Sequence, residues 1–520
     1  MLATFDDVMA GRVGGANGLT NSGRDLDVDC DVVVVGSGAG GGAIAAELAE
    51  GGRSVIVVEE GGHYTSKDFG LNAPTMIKKL YRNAGSAPIM GKPNIIFSEG
   101  RCVGGSTVIN GAMSWRTPEK ILKRWQWEHG LSDMTPEALE PFFAKVEERV
   151  SVGPQDPESI GEDARLMERG ADKLGYHYVP AMRSQKHCCG SNNCAFGCPT
   201  DAKQSVLVTY VPRLLAAGGR LFSGCKVERV VTDGSRATGI VGRFRHPESG
   251  KRGPKLTVRA KVVVLACGAV QTPALLLRNG LTNSSRQVGR NFLCHPNSKV
   301  IGVYDKPIHA WKGTIQGNQI REFIDEGIMI TTSMVPPGLI AMSLPYFGAR
   351  SWEVMQDYDK MLAAGCLVED TGTGTVDVDI FGEARMRYDV NDRDFANLIR
   401  GVALTSEILF ASGAKRVLLP FDFLTSIDSP DEIRQLFNHS IPKNEVECLT
   451  VHAMGTCRMG VDRRSSVVDP HGESWDVPGL FVADASVFPG PIGVNPQITV
   501  MALATRCGRW LLDNEARYFA

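Results

Sequence analysis

The stretch "DVVVVGSGAGGGAIAAELAEGGRSVIVVEEGG", residues 31–62, decides the fold. Asp31–Val35 reads as a strand whose unbroken valines are buried on both faces, as in a parallel sheet. A glycine turn follows, then an alanine-rich helix, then a second strand over Ser54–Val58. Gly36, Gly38 and Gly41 form the G-x-G-x-x-G pattern between strand and helix. Gly36 permits the tight turn, Gly38 lets a pyrophosphate reach the backbone, and Gly41 lets the helix pack on the sheet. The open N–H groups at the helix start favour phosphate. Glu59 ends the second strand, where an acid binds ribose hydroxyls. Glu60 is its neighbour, and Gly61-Gly62 favour Glu59 by position.

Outward from this unit, buried strands and small-residue turns recur at "KVVVLACGAVQTPALLLRNG" (261–280) and "GLFVADASVFPG" (479–490). Residues 226–244 read as two strands joined by a turn. Residues 117–150 read as helical, with Thr135 capping before Pro136. The region 300–440 changes texture, and "DVDIF" and "ARMRYDV" alternate as antiparallel strands do. The fold class expected is α/β, α+β overall: a Rossmann-like dinucleotide domain with an inserted antiparallel-sheet cap domain. The dinucleotide domain takes 28–118, 200–300 and 441–520. The cap takes 119–199 and 301–440, and 1–27 reads as a loose N-terminal arm.

Composition agrees with a multi-domain chain whose many tight turns and close backbone approaches suit a large cofactor. The chain of 520 residues is 43% hydrophobic and holds 58 glycines, well above the usual share of ~7%. A net charge of −2 favours neither nucleic acid nor an anionic membrane. The N-terminus lacks the basic-then-apolar pattern of a secretory signal. No apolar run of membrane-spanning length is present. The default expectation is cytoplasmic, with periplasmic export alongside a signal-bearing partner left open.

The fingerprint alone does not choose between FAD and NAD. Three further segments do: "EGRCVGGSTVINGAMSWRTP" (99–118), "HAMGTCRMG" (452–460) and "VADASVFPGPIGVNPQIT" (482–499). With these the chain resembles the glucose–methanol–choline (GMC) family of FAD-dependent alcohol oxidoreductases, from Asp31 to about Leu512. "GSTVINGAMSWRTP", "DAKQSVLVTYVP" and "VEDTGTGTV" resemble its long-chain alcohol oxidase or dehydrogenase branch. The resemblance implies FAD, with its ADP half at Gly36–Gly41 and Glu59. It implies that Gly104, Gly105, Ser106 and Asn110 pass the pyrophosphate and flavin. Val227 meets the adenine through its backbone, and Asp484 lies near the ribityl and phosphate groups.

Oxidising an alcohol removes a proton from oxygen and a hydride from carbon. Histidine suits the first task, since its pKa lies near neutrality. His452 matches the family's catalytic histidine. Asn495 stands where the family places a second His or Asn, and an amide donates without titrating. His295, His63, His129 and His187 are given no chemistry. The Met-rich, proline-broken segment Ile328–Gly348 suits an adaptable wall for a hydrophobic or aryl alcohol. The alternatives within the fold are a non-redox lyase or decarboxylase and an electron-transfer subunit.

One stretch is unabsorbed. "HCCGSNNCAFGCP" (187–199) holds four of the 13 cysteines. It shows neither paired zinc arms nor C-x-x-C. Cys188, Cys194 and Cys198 before Pro199 fit iron–sulfur ligation. The segment resembles the cluster segment of FAD-dependent sugar dehydrogenases, which implies a [3Fe-4S] cluster and an electron-acceptor protein. Metal-free buried thiols, with oxygen or a quinone as acceptor, are the main reading left beside it, and a disulfide or another metal stays open. Cys102 and Cys457 read as packing residues.

Overall fold

The computed structural model describes residues 1–13, 24–438 and 440–520. Two sheets organise them. The first is 8-stranded, in the order Leu2–Ala3, Arg220–Phe222, Val55–Val58, Leu26–Val35, Arg252–Leu265, Arg236–Arg245, Cys225–Asp233, with Leu480–Val482 also pairing Arg252–Leu265. The pairs around Leu26–Val35 are parallel. Val32–Val35 are fully or almost fully buried, as their unbroken apolar character requires. The helix Ala39–Glu50 covers this sheet and is itself covered by Gln497–Asp513. Chain from both ends of the sequence therefore completes one layered unit.

The second sheet is 12-stranded and largely antiparallel. Its centre runs Cys448–Thr450, Asn297–Val303, Met361–Val368, Ile328–Thr332. The expected hairpin is present as Thr375–Val378 paired with Ala384–Arg387. The long helix Asp392–Ser412 covers the outer face, started by Asn391, whose side chain accepts from the Asp394 N–H. The inner face looks toward the dinucleotide unit. Thr135 caps Pro136–Arg149 as expected, its Oγ1 accepting from Ala138 N at 3.1 Å.

Three of the expected boundaries need correction. Residues 1–13 are not a loose arm: Leu2–Ala3 pairs in parallel with Leu221–Phe222, and Thr4 caps a short helix that buries Phe5 and Val8. Four apolar side chains among polar ones suffice to dock it. The rest of the expected arm to residue 23 lies outside the described residues, and residues 26–27 already belong to a strand. Ala87–Met90, Ile95–Phe97 and Cys448–Thr450, placed by sequence in the dinucleotide segments, are strands of the cap sheet. The helices Glu119–His129 and Pro136–Arg149 were assigned to the cap. Their Ile121, Leu122, Trp125, Leu139 and Phe143 pack instead into the dinucleotide-side core. Among the described residues no helix is long and apolar enough to cross a membrane.

Candidate active site

One cavity of about 550 Å³ runs between the two sheets. Its walls include Gly36, Gly38, Glu59, Gly105, Ser106, Asn110, Val227 and Asp484 together with His452 and Asn495. The sequence-derived flavin and catalytic candidates, Gly41 and Gly104 aside, thus face one space. Gly41 lies just behind it: a Cβ there would stand 2.0 Å from the Gly36 carbonyl oxygen.

The glycine turn is built for a ligand. Gly36 has φ +99°, a conformation that side chains disfavour. At Gly38 an added Cβ would meet only Gly105 Cα, at 3.9 Å. Gly38 also starts the helix with no side-chain cap, so its first-turn N–H groups stay available. The second glycine loop touches the first. A Cβ on Gly105 would stand 2.8 Å from Gly38 Cα, and Gly104 N–H donates to Ser37 Oγ at 3.1 Å. An open helix N-terminus between two glycine loops fits a pyrophosphate.

Glu59 is held in place. Its carboxylate accepts from Ser37 N–H and O–H and from Gly61 N–H, at 3.0, 2.7 and 2.8 Å. Burial pushes its pKa up despite those bonds. Glu60 is committed elsewhere, to Arg82 at 3.0 Å. That pairing draws its carboxyl down to about 2 against the cost of burial. Asp484 accepts from Gly268 N–H at 2.9 Å, Ser486 N–H at 2.8 Å and the Thr272 hydroxyl. It therefore ties the 261–280 and 482–499 segments together at the cavity wall. Asn110 donates to Gln497 Oε1 at 2.9 Å. Val227 precedes a register shift in its strand, which frees backbone at the cavity edge.

His452 is 9% exposed, and burial lowers its pKa to about 4, so it is neutral at pH 7. Its Nε2 lies 3.3 Å from Asn495 Nδ2. Its Nδ1 lies 3.4 Å from Nδ1 of His295, a residue that sequence reasoning left without a role. His295 is completely buried, and burial drives its pKa well down. Gly493 N–H donates to His295 Nε2 at 3.2 Å. Asp370 accepts the backbone N–H groups of Cys294 and His295 and stands 3.8 Å from His295 Nε2. Burial raises the Asp370 carboxyl to about 7. The signal for this chain was a "CHP" and an "ED" far apart in sequence; only the strand pairing of Asn297–Val303 with Met361–Val368 joins them.

These contacts restrict the protons. A neutral imidazole carries one N–H. If Gly493 donates to His295 Nε2, the His295 proton sits on Nδ1 and points at His452 Nδ1. His452 then carries its proton on Nε2, toward Asn495. The Asn495 Oδ1 is buried without a partner, and a turned amide would accept that proton. The opposite tautomer puts the His452 proton on Nδ1, donating to His295, and frees Nε2 as a base. His295 then carries its proton on Nε2, facing Asp370 at 3.8 Å, and the Gly493 N–H gives up that acceptor.

The iron–sulfur reading finds no support. Among the described residues no three His, Cys, Asp or Glu side chains converge as a metal requires. The 13 cysteines are free thiols. Cys188, Cys194 and Cys198 do line one cavity, but its volume is about 10 Å³, room for a single water and not for a cluster. Arg183 donates to Cys194 Sγ at 3.3 Å and Lys203 N–H to Cys198 Sγ at 3.4 Å. Lys203 is a second residue the sequence reading missed. Its buried ammonium donates to the carbonyls of Val108, Asn110 and Cys194 at 2.6, 2.9 and 2.6 Å. Burial lowers it to about 8. It pins the cysteine segment to the second glycine loop. Cys102 and Cys457 are buried thiols with raised pKa.

Comparison with known proteins adds the following. Residues 77–297 and 372–504 match the family described as GMC oxidoreductase, and residues 31–68 match an FAD binding domain. The chain is 35% identical to an uncharacterized GMC-type oxidoreductase of Mycobacterium tuberculosis, over 89% of this chain and 72% of that protein. It is 30% identical to long-chain-alcohol oxidase FAO1 of Arabidopsis thaliana, over 92% of this chain and 66% of that protein. Among solved structures, pyridoxine 4-oxidase from Mesorbium loti superposes with a TM-score of 0.70 at 18% identity, covering 92% of this chain and 99% of the other. Formate oxidase of Aspergillus oryzae superposes at 0.71 with 16% identity, over 96% and 100%. The structural likenesses speak to the fold.

Proposed function

The chain belongs to the GMC oxidoreductase family of FAD-dependent enzymes, and we propose that it oxidises a primary, hydrophobic alcohol to the aldehyde. The observation that carries this reading is the His452–Asn495 pair, 3.3 Å apart and facing the same cavity as the glycine loops. When bound, FAD supplies the acceptor for the hydride that leaves the substrate carbon. Gly36, Gly38 and the helix start would hold its pyrophosphate, and Glu59 its ribose.

The protein's own part is the proton. His452 Nε2 takes it from the alcohol oxygen as general base. This needs the tautomer in which His452 donates through Nδ1 to His295. Asn495 donates Nδ2–H to the same oxygen and holds it as charge develops. Neutral His452 is ready for the task through most of the physiological range, because burial keeps it unprotonated above pH about 4. Met329, Val335, Leu339, Met342 and Leu367 supply apolar wall on the substrate side. Long-chain-alcohol oxidases among the relatives support the same substrate class. Oxygen, a quinone or an electron-acceptor protein serves as the final acceptor.

The test is anaerobic. Added primary long-chain alcohols should bleach the oxidised flavin spectrum, and His452→Ala should slow bleaching by about 10²–10⁴-fold. A flavin-loaded protein that no primary alcohol bleaches would end this reading.

A further inference from the structure

The inner face of the cap sheet carries a polar row inside an otherwise apolar wall. Asn297 and Lys299 lie on one face of the strand Asn297–Val303, and both line the cavity. The antiparallel pairing Asn297↔Leu449 carries Glu447 opposite Lys299, and Glu447 also lines the cavity. Opposite charges facing each other on paired strands would ordinarily close into an ion pair. Among the described residues the two do not close to an ion pair within 4 Å, although each feels the other's charge across the strands. Asn297 Oδ1 is buried without a hydrogen-bond partner. On the other side Lys299 pairs with Gly365, where a Cβ would stand 3.2 Å from that same Oδ1. The missing side chain keeps the space beside Asn297 open.

Three polar side chains thus line one stretch of cavity; Lys299 and Glu447 are half-buried, and Asn297 Oδ1 is the buried atom among them left without a partner. The rest of that stretch is Met329, Leu367 and Leu449. Buried polar groups without partners are costly, and a site that keeps them is built to meet a polar ligand group. The row lies no more than about 13 Å along the chain from His295, which touches His452. It is therefore within reach of the distal end of a substrate whose hydroxyl sits at His452.

We propose, resting on the alcohol-oxidising reading above, that Asn297, Lys299 and Glu447 recognise an uncharged hydroxyl at the distal end of the substrate, so that long-chain α,ω-diols are preferred to simple 1-alkanols. The pair Lys299–Glu447 carries no net charge. A carboxylate or an ammonium would satisfy one member and oppose the other. A hydroxyl satisfies both: it accepts from Lys299 and donates to Glu447 or Asn297.

The experiment compares 1-alkanols, α,ω-diols, ω-hydroxy acids and ω-amino alcohols of matched length by anaerobic flavin bleaching. At one chain length the diol should exceed the alkanol in kcat/KM by tenfold or more, and exceed both charged analogues. Lys299→Met with Glu447→Leu should reverse that preference, lowering the diol and raising the alkanol. If the double variant loses flavin, Lys299→Met and Glu447→Gln are read singly. Equilibrium binding gives a second measure without turnover. A tertiary alcohol bearing a distal hydroxyl should perturb the flavin spectrum at tenfold lower concentration than one without it, and the variants should erase the difference. Diol and alkanol within twofold at every length, with both oxidised, overturns this proposal and leaves the alcohol reading standing. A hydroxy acid preferred tenfold over the diol overturns it as well. No bleaching by any alcohol overturns both.

Discussion

His295→Leu is the most informative substitution in this molecule. It removes the ring behind His452 and keeps apolar volume in a completely buried place. In the parent, the base-competent tautomer of His452 donates its Nδ1 proton to His295 Nδ1 across 3.4 Å. In the variant that N–H is buried with no acceptor, which costs about 1–3 kcal/mol. The alternative tautomer, with the proton on Nε2, loses a donor to its bare Nδ1, a smaller cost than an orphaned N–H, and can bond the Asn495 oxygen. The base-competent fraction should therefore drop, by up to about 150-fold at a factor of ten for each 1.36 kcal/mol. The assay is stopped-flow bleaching of the flavin at saturating alcohol, with flavin content and melting temperature measured beside it. The loss should appear in the limiting rate rather than in KM, because substrate contacts are untouched. His295→Gln, which restores an acceptor oxygen, should recover part of it. A limiting rate within twofold of the parent at full flavin content refutes the tautomer argument.

Other expectations follow from single contacts. Gly105→Ala places a Cβ 2.8 Å from Gly38 Cα at φ +55°, so it should release FAD, read as the flavin-to-protein absorbance ratio. Retention of full flavin would show that the two loops can part without cost. Lys203→Met leaves three carbonyls without their donor and should lower stability by on the order of 3 kcal/mol, measured by denaturant unfolding. A change under 1 kcal/mol would mean water replaces the ammonium. His129, His452 and His471 are held near 4 by burial. The unfolded chain, with histidines near 6.5, binds more protons between those values. The histidine contribution is therefore full above about pH 6.5 and lost as pH falls toward 4, opposed by Asp163 and Asp370, which burial raises to about 7 and whose contribution grows as pH falls. His471→Gln should make the melting temperature less sensitive to acid than the parent's over that range, and an unchanged profile would contradict it. Iron and acid-labile sulfide in anaerobically purified protein should be well below one per chain, while Cys189, the exposed thiol, reacts first with alkylating agents. About three irons per chain would restore the cluster.

What could be read in advance depended on whether residues act locally. The strand, glycine turn, helix and acid at 31–62 form one contiguous unit, and their chemistry is written in their order. His452 and Asn495 stood inside motifs dense enough to locate them. His295, Asp370 and Lys203 did not. Each acts on something distant in sequence: His295 on a ring 157 residues away, Lys203 on carbonyls 93 and 95 residues before it. Their environment exists only once the second sheet pairs. The cysteine segment misled for the complementary reason. Spacing along a chain measures opportunity to converge, while ligation needs a shared volume, and here two buried cations and packed backbone take that volume. The polar row at Asn297, Lys299 and Glu447 belongs with the unreadable residues. In sequence they are three ordinary strand-edge polars in an apolar context. Only the register Asn297↔Leu449 turns them toward one another and toward the cavity. Chemistry at the reacting carbon was thus legible from motifs, whereas selection of the substrate's far end rests on cross-strand geometry.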